Sequence, residues 1–474
     1  MVKNVKKASA AVIGSLHQFT EDEVVTVRQK LLTWYDANRR VLPWRTIAAT
    51  EPDRSKRAYA VWVSEIMLQQ TQVSTVVSYF VKWMAKWPTV EDLARATLEE
   101  VNQVWAGLGY YSRARRLHEG AVKVVKELDG EFPDDRDSLI QHLPGIGRYS
   151  GSAIASIALG CGVGVVDGNV NRVFARVRGI GADITLQSTT EHMWTLANQL
   201  VDSDRPGDFN QAMMEFGATV CTPKNPSCNS CPLSVHCVSH HRSGDQQERA
   251  SITNHFKKRK MPSESSAVPD IECLPECALC LRKEDWDSSL GVQNYPRKAQ
   301  KTQSRQKASA VVVLQGNSGE MLLVQRPKKG LLANLWEFPS IALTDGDIHQ
   351  EKEVTEQLIN QFAVPSSLSS SRIFVADVIH IFSHIRQTYK VYKILLDDQK
   401  GLTWPSRYQG GQWMTRKEFV ISATSTAMKK VLKAVEVSEE KNKNEKKMGL
   451  VEKSSDAKKQ KTISQFFTAA PKKK

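Results

Sequence analysis

The most specific chemical signal in the chain is a set of four cysteines. Cys221, Cys228, Cys231 and Cys237 are spaced C-x6-C-x2-C-x5-C. Thiolates held this close suit a four-iron cluster, which needs sulfur ligands at four corners of a compact cube. Zinc also accepts four thiolates, so the spacing implies a metal centre more firmly than it implies iron. A pair of disulfides is the competing reading, and the absence of a secretory signal disfavours it. Three further thiols, Cys273, Cys277 and Cys280, crowd into an otherwise polar stretch as C-x3-C-x2-C. Three thiolates leave one corner of a tetrahedral zinc site vacant.

Leu143-Pro-Gly-Ile-Gly-Arg-Tyr149 falls between two helical stretches. Gly145 and Gly147 let the backbone approach a phosphate, and N–H groups at the next helix start favour an anion. A plain turn between helices explains the heptad equally well. In Val166-Asp-Gly-Asn-Val-Asn-Arg172 the aspartate, Asp167, stands at a turn before a helix, the usual place of an N-cap. Glu65 lies inside a helical run, where a glutamate is ordinarily solvated. To act as an acid it must face a pocket that raises its pKa.

These groups need elements to hold them. Residues 19–238 carry helical signals nearly throughout. Leu31, Leu32 and Trp34 open an amphipathic segment, and Trp62, Ile66, Val73 and Val77 mark one face of a single long helix. Residues 113–128 and 170–177 read likewise, with turns at Pro88-Thr89, Gly107-Leu-Gly109, Phe132-Pro133 and Pro206-Gly207. No strand pattern intervenes, so this region is all-α. Residues 240–307 are polar and proline-bearing, with Lys257-Lys-Arg-Lys260, and read as an interdomain connector. From Ala308 the period switches to two. Strands are expected over 310–314, 321–325, 373–378 and 389–396, with a helix over 351–362, giving an α+β unit.

The chain has 474 residues, enough for roughly three domains. Hydrophobic residues make up 41%, which excludes disorder throughout. No stretch approaches the roughly 20 apolar residues of a membrane span. Lys3, Lys6 and Lys7 precede a short apolar run over 8–14 that is unconvincing as a secretory signal. Lys plus Arg number 65 against 51 acids, a net charge of +14 that favours a polyanionic partner. From Ser438 onward there are 11 Lys, no Arg and 5 acids, supplying +6 of that charge. This end reads as a disordered tail, so any potential of the main body to bind a polyanion must rest on local motifs.

Together the hairpin, the Asp167 segment and the four cysteines resemble the helix-hairpin-helix DNA glycosylases with an iron–sulfur cluster. Three longer runs are similar to the MutY family of adenine glycosylases in particular. They are Leu42-Pro-Trp-Arg45, Trp62-Val-Ser-Glu-Ile-Met-Leu-Gln-Gln-Thr-Gln-Val73 and Gly107-Leu-Gly-Tyr-Tyr-Ser-Arg113. The likeness covers most of 25–240 and continues into the second unit. It implies an N-terminal segment (1–24) and an all-α helix-hairpin-helix glycosylase domain with a [4Fe–4S] cluster (25–240). A connector (241–307), an α+β Nudix-like lesion-recognition domain (308–435) and a disordered basic tail (436–474) would follow.

The substrate so implied is double-stranded DNA with adenine opposite 8-oxoguanine, or opposite guanine. By position Glu65 is the acid that protonates adenine N7. Asp167 stays ionised and stabilises the oxocarbenium-like sugar, two carboxylates with separate tasks. Tyr149 stands where strand-cleaving relatives carry a lysine; a phenol forms no Schiff base, which implies a monofunctional enzyme. With Asn169 it would position water and the acids. Trp44, Arg45 and Leu68 map to the adenine pocket, and Gln70, Thr71 and Tyr110 to the stack opened around the mispair. Leu143, Gly145 and Gly147 map to the DNA backbone. Gln211 departs from some bacterial members, which carry a glutamate there; an amide can bond the base edge but cannot serve as the acid.

The second unit lacks the glycine and the Arg-Glu…Glu-Glu run that hold magnesium in Nudix hydrolases, and Glu351, Glu353 and Glu356 read as a solvated helix face. Phe382-Ser-His384 matches the family's lesion-reading motif. Damaged guanine differs by an N7 proton and an O8 acceptor, which a hydroxyl can discriminate. Animal members of the family complete a zinc site with an N-terminal histidine, here His17 joining Cys273, Cys277 and Cys280; the spacing of Cys273 departs from some relatives. Gln460, Ile463, Phe466 and Phe467 fit Q-x-x-I-x-x-F-F, which resembles the motif that docks on the sliding clamp PCNA. A chance match in a low-complexity tail is the alternative. The family also implies contacts of the connector with an abasic endonuclease and a checkpoint clamp, a monomeric state, and a nuclear site of action, with mitochondrial delivery left open.

Three rival readings remain at this level. A bifunctional endonuclease III-like glycosylase/lyase is opposed by Tyr149. A Nudix nucleotide hydrolase with a DNA-binding front end is opposed by the missing magnesium box. A catalytically silent damage scaffold is opposed by the presence of both Glu65 and Asp167.

Overall fold

The computed structural model describes residues 16–244, 277–298, 305–344, 351–364, 372–382, 385–397 and 402–455, with backbone alone at 351–352 and 442–455. The chain divides between Thr302 and Gln303 into two compact units.

The first unit is helical. Thr20, Thr89 and Thr97 open the helices Glu21–Asn38, Val90–Arg95 and Leu98–Trp105 with capping boxes, hydroxyl and N3 carboxylate each satisfying the other's backbone N–H. Asp53, Asp135 and Asp167 cap Arg54–Leu68, Arg136–His142 and Gly168–Val177. In Arg54–Leu68 every residue from Ala58 to Met67 is buried, so neighbours cover all its faces. Those neighbours include Pro43–Thr50, Val73–Lys86, Ser112–Glu127 and Arg148–Leu159. A second core gathers Leu31, Tyr35, Phe174, Phe209 and Phe216 from helices Glu21–Asn38, Gly168–Val177 and Pro206–Thr219.

Two expectations need correcting here. The single helix expected across Trp62 to Val77 is two, Arg54–Leu68 and Val73–Lys86, with Gln70 between them at φ 56°. The break has a tertiary cause: the Arg113 guanidinium takes the carbonyls of Ile66, Met67 and Gln69. The buried face of the second helix is then Val76, Phe80 and Trp83. Part of the expected connector is also not a free linker. Residues 277–298 fold back on the helical unit, where the Gly181 N–H donates to the Leu279 carbonyl at 2.8 Å and Arg176 Nε to the Tyr295 carbonyl at 3.1 Å. Leu281 and Tyr295 join the second core. With Leu279 and Trp286 packed against it as well, the four apolar anchors of this irregular segment leave no periodicity to read.

The second unit is built on a seven-stranded mixed sheet in the order β3-β2-β1-β6-β5, with β4 paired to β1 and β7 to β2. The strands are β1 Arg305–Gly316, β2 Met321–Gln325, β3 Trp336–Glu337, β4 Ser340–Leu343, β5 Ile373–Ile381, β6 Ile385–Leu396 and β7 Gly410–Met414. β1 and β6 run parallel in register from Arg305↔Ile385 to Gly316↔Leu396. Alternation along β1 feeds two cores: Val311 and Val313 meet Phe419 and Val431 on one face, and Val312 and Leu314 meet Leu358 and Phe362 on the other. This is the α+β unit expected from the period of two. The last helix, Thr426–Ser455, corrects the boundary of the tail by continuing past residue 436. Its lysines and glutamates are good helix formers, and Glu436 and Glu439 pair with Arg416 and Lys393.

Candidate active site and metal-ligand clusters

A cavity of about 190 Å³ in the helical unit is lined by Trp44, Arg45, Glu65, Leu68, Thr71, Tyr149, Asp167, Asn169 and Gln211. Nine residues singled out from sequence therefore meet in one place. The volume lies below the roughly 300–1,000 Å³ of ordinary ligand pockets, room for a single base. Trp44 forms part of the wall, its ring edge-on to Phe80 at 5.5 Å.

Glu65 sits on the fully covered helix with only 4% of its surface exposed. Burial pushes its carboxyl up to about 7, against a hydrogen bond from the Tyr149 hydroxyl at 2.7 Å; the Asp167 charge adds to the rise and Arg45 opposes it. Burial and the same two carboxylates hold Tyr149 well above the ordinary phenol range, so it stays a neutral donor. Burial also raises Asp167, but three donors favour its charged form: the N–H groups of Asn169 at 2.8 Å and Val170 at 2.7 Å, and Asn169 Nδ2 at 2.9 Å. Asn169 is in turn fixed by Arg172 Nη2 at 2.8 Å, whose Nε reaches the Cys221 carbonyl at 2.8 Å. Gly217 lets the helix Pro206–Thr219 approach this turn: a Cβ there would lie 2.7 Å from Asn169 Cβ. Gln211, on that helix, donates Nε2 to the Gly207 carbonyl at 3.2 Å and presents no acidic group.

The cavity also contains a network that the sequence reading missed. Glu215 accepts from Arg40 Nε at 2.6 Å and from Arg45 Nη2 at 3.0 Å. Burial would raise its carboxyl, yet the two guanidiniums hold it below the ordinary range. It follows Gln211 by one helical turn, and that i, i+4 spacing was the available signal.

Outside the cavity, Gln70 and Tyr110 are exposed turn tips with left-handed backbone, φ 56° and 49°. The hairpin joins Arg136–His142 to Arg148–Leu159 through a buried Leu143 and through Gly145 at φ 83°; no side chain caps the second helix at Gly147. Its first amides are thus open to an anion such as a backbone phosphate.

Cys221, Cys228, Cys231 and Cys237 line one pocket beside Arg176. Burial pushes Cys231 up to about 11 and Cys237 up to about 12, so only a bound cationic centre would ionise them. Among the described residues, the one set of three or more ligand atoms within 4.8 Å of one another is that of His17, Cys277 and Cys280. His17 is buried, and its Nδ1 faces the Arg178 carbonyl at 2.8 Å. Donation there leaves the Nε2 lone pair toward Cys280 Sγ at 3.3 Å and Cys277 Sγ at 3.5 Å. Cys273 lies outside the described residues.

In the second unit Phe382 is half-buried at the β5–β6 turn, its N–H donating to the Ile385 carbonyl at 2.8 Å; Ser383 and His384 lie outside the described residues. Glu353 and Glu356 are exposed, as expected of a solvated face. Gln460, Ile463, Phe466 and Phe467 also lie outside the described residues.

Residues 63–199 match the HhH-GPD superfamily of base excision DNA repair proteins, and residues 310–434 match the NUDIX domain. The adenine DNA glycosylase of Homo sapiens is 50% identical over 432 residues, 89% of this chain and 76% of that protein. That of Mus musculus is 49% identical over 437 residues, covering 90% and 81%. Among solved structures, a thermostable thymine-DNA glycosylase is 28% identical over 46% of this chain and 97% of its own, with a TM-score of 0.41. The C-terminal domain of mouse MUTYH, solved in complex with human PCNA, is 32% identical over 35% of this chain and 100% of its own, with a TM-score of 0.24.

Proposed function

Because the chain belongs to the adenine DNA glycosylases of base excision repair, we propose that it excises adenine opposite 8-oxoguanine by a two-carboxylate mechanism. Glu65 donates its proton to adenine N7. The C1′–N9 bond then breaks with its electron pair passing to the base, and Asp167 faces the sugar cation so formed. Water held by Tyr149 and Asn169 adds at C1′, and its proton returns to the Glu65 carboxylate. The observation that carries this reading is the pairing of environments in one cavity: a carboxyl pushed up to about 7 beside another held by three N–H donors. Burial raises both carboxyls, but Glu65 accepts from one hydroxyl while Asp167 accepts from three N–H groups, so Asp167 is the better stabilised anion and Glu65 the acid.

Around that chemistry, Gln70, Thr71 and Tyr110 enter the base stack, while Leu143, Gly145 and Gly147 hold a backbone phosphate. Cys221, Cys228, Cys231 and Cys237 would hold a [4Fe–4S] cluster, which supplies a rigid cross-link of the region next to Arg172. His17, Cys277 and Cys280, with Cys273, bind zinc. Phe382, Ser383 and His384 read the damaged base, and Gln460, Ile463, Phe466 and Phe467 dock on PCNA. The connector meets an abasic endonuclease and a checkpoint clamp, and the protein works as a monomer in the nucleus, with mitochondrial delivery left open.

The test is incubation with duplexes carrying adenine opposite 8-oxoguanine, guanine or thymine. Free adenine should appear fastest opposite 8-oxoguanine, and the strand should break only after alkali. Nicking without alkali overturns the monofunctional reading in favour of a glycosylase/lyase.

A further inference from the structure

Arg113 is buried to 9% exposure, yet among the described residues no carboxylate is a hydrogen-bond partner of it. Nη1 donates to the carbonyls of Ile66 at 2.8 Å, Met67 at 3.1 Å and Gln69; Nη2 donates to those of Leu108 at 3.3 Å and Gly109 at 3.2 Å and to Thr71 Oγ1 at 3.4 Å. Its plane lies over the rings of Trp105 and Tyr110, 5.3 and 5.4 Å from their centroids. One cation thus binds two turns some forty positions apart in sequence, and each turn ends in an exposed left-handed residue that is not glycine, Gln70 or Tyr110. Such backbone persists only where the surroundings over-determine it. A buried charge satisfied by neutral carbonyls is a poor way to gain stability, since a well-packed apolar side chain does as well. What a guanidinium offers here is a rigid planar fork of donors.

We propose that Arg113 is a positioning residue that locks the Gln70 and Tyr110 tips into one wedge, so that both enter the DNA stack in a single step. This rests on the reading that those tips enter the stack at all. Arg113→Lys keeps the charge but offers three donors to six acceptors, so the tips should move independently.

Base unstacking is followed by stopped-flow fluorescence of 2-aminopurine placed beside the target adenine, together with single-turnover adenine release. For Arg113→Lys both rates should fall about tenfold or more on the paired duplex. Release should return to within about twofold of wild type on a duplex whose adenine is bulged and already unstacked, with the alkaline limb of its pH profile unmoved. Gln70→Ala with Tyr110→Ala is the control. If it leaves unstacking unchanged, the stack-entry reading fails and takes this inference with it. If it slows unstacking while Arg113→Lys does not, the inference alone is overturned. Equal losses on paired and bulged duplexes, with a shifted pH limb, mean a merely structural role and also overturn it. Should Arg113→Lys fail to fold, hydrogen exchange of the wild-type protein decides. Residues 66–71 and 108–113 should open at one shared rate; two separate rates refute the lock.

Discussion

Replacing Glu65 with glutamine tests the acid and the energetics of its site together. The carboxyl rises from 4.5 to about 7 on folding, and at 1.36 kcal/mol per unit that is roughly 3 kcal/mol. The folded pKa exceeds the unfolded one, so the folded state holds its proton more tightly and stability must fall as pH rises through that window. The contribution is fully present below about pH 4.5, is lost progressively up to about 7, and is constant above. Glutamine cannot ionise, and its Oε1 still accepts from the Tyr149 hydroxyl. The stability of Glu65→Gln relative to wild type should therefore grow by roughly 2.5 kcal/mol between pH 5 and 8. Urea unfolding of both proteins, followed by tryptophan fluorescence at unit steps of pH, measures this.

The same pH series gives the chemistry. Wild-type single-turnover release should hold while Glu65 is protonated and fall about tenfold per unit once pH passes 7. On the acid side it should decline as Asp167 takes a proton, at a pH above the ordinary aspartate range because burial raises that group. Glu65→Gln should lose about 10²-fold or more at pH 6 and show no alkaline limb. A stability difference flat to within about 0.5 kcal/mol across the range, or a wild-type rate still climbing at pH 8, refutes the proposed state of Glu65.

Four further outcomes are expected. Asp167→Asn should bind the lesion duplex within a few fold in gel shifts while excision falls at least about 10³-fold; asparagine remains a competent N-cap, so folding should change by less than about 1 kcal/mol. His17→Ala and Cys277→Ser should each lower zinc from about one per chain by elemental analysis, leaving the iron and its visible absorbance intact. Ser383→Ala with His384→Ala should cut the preference for 8-oxoguanine over guanine about tenfold, from the ratio of single-turnover rates, with release opposite guanine retained. Phe466→Ala with Phe467→Ala should abolish capture on immobilised PCNA and leave adenine release unchanged.

What could be read from sequence was whatever is carried by local chemistry. The spacing of the four cysteines, the two glycines of the hairpin, the Asp167 turn and the strand period of residues 321–325 are each fixed within a few residues, and each stands where its pattern placed it. Groups whose character comes from distant neighbours were opaque. Glu215 owes its charge state to Arg40 and Arg45, some 170 positions earlier. Arg113 opens a basic run with Arg115 and Arg116 that looks like an exposed helix face, yet alone among the three it is buried. The long helix across Trp62 to Val77 was misread for the same reason: its interruption is imposed by that guanidinium and not by any glycine or proline.

Asp167 shows why a bland reading and a functional one need not compete. Its side chain caps Gly168–Val177 by accepting from Asn169 and Val170, which is all that the turn pattern implied. The same two amides, with Asn169 Nδ2, are the donors that favour its ionised form against burial and aim it at the cavity shared with Glu65. A carboxylate satisfied by a neighbouring cation would have much of its field cancelled before a sugar cation formed. Backbone amides at a helix start orient the charge and lower its solvation cost while leaving its sign unneutralised. Capping is thus one means by which this chain favours the ionised form of Asp167 inside a buried pocket, with the nearby Arg172 charge acting in the same direction. The sharp consequence is that excision and helix capping should separate under Asp167→Asn, which retains the cap and loses the charge.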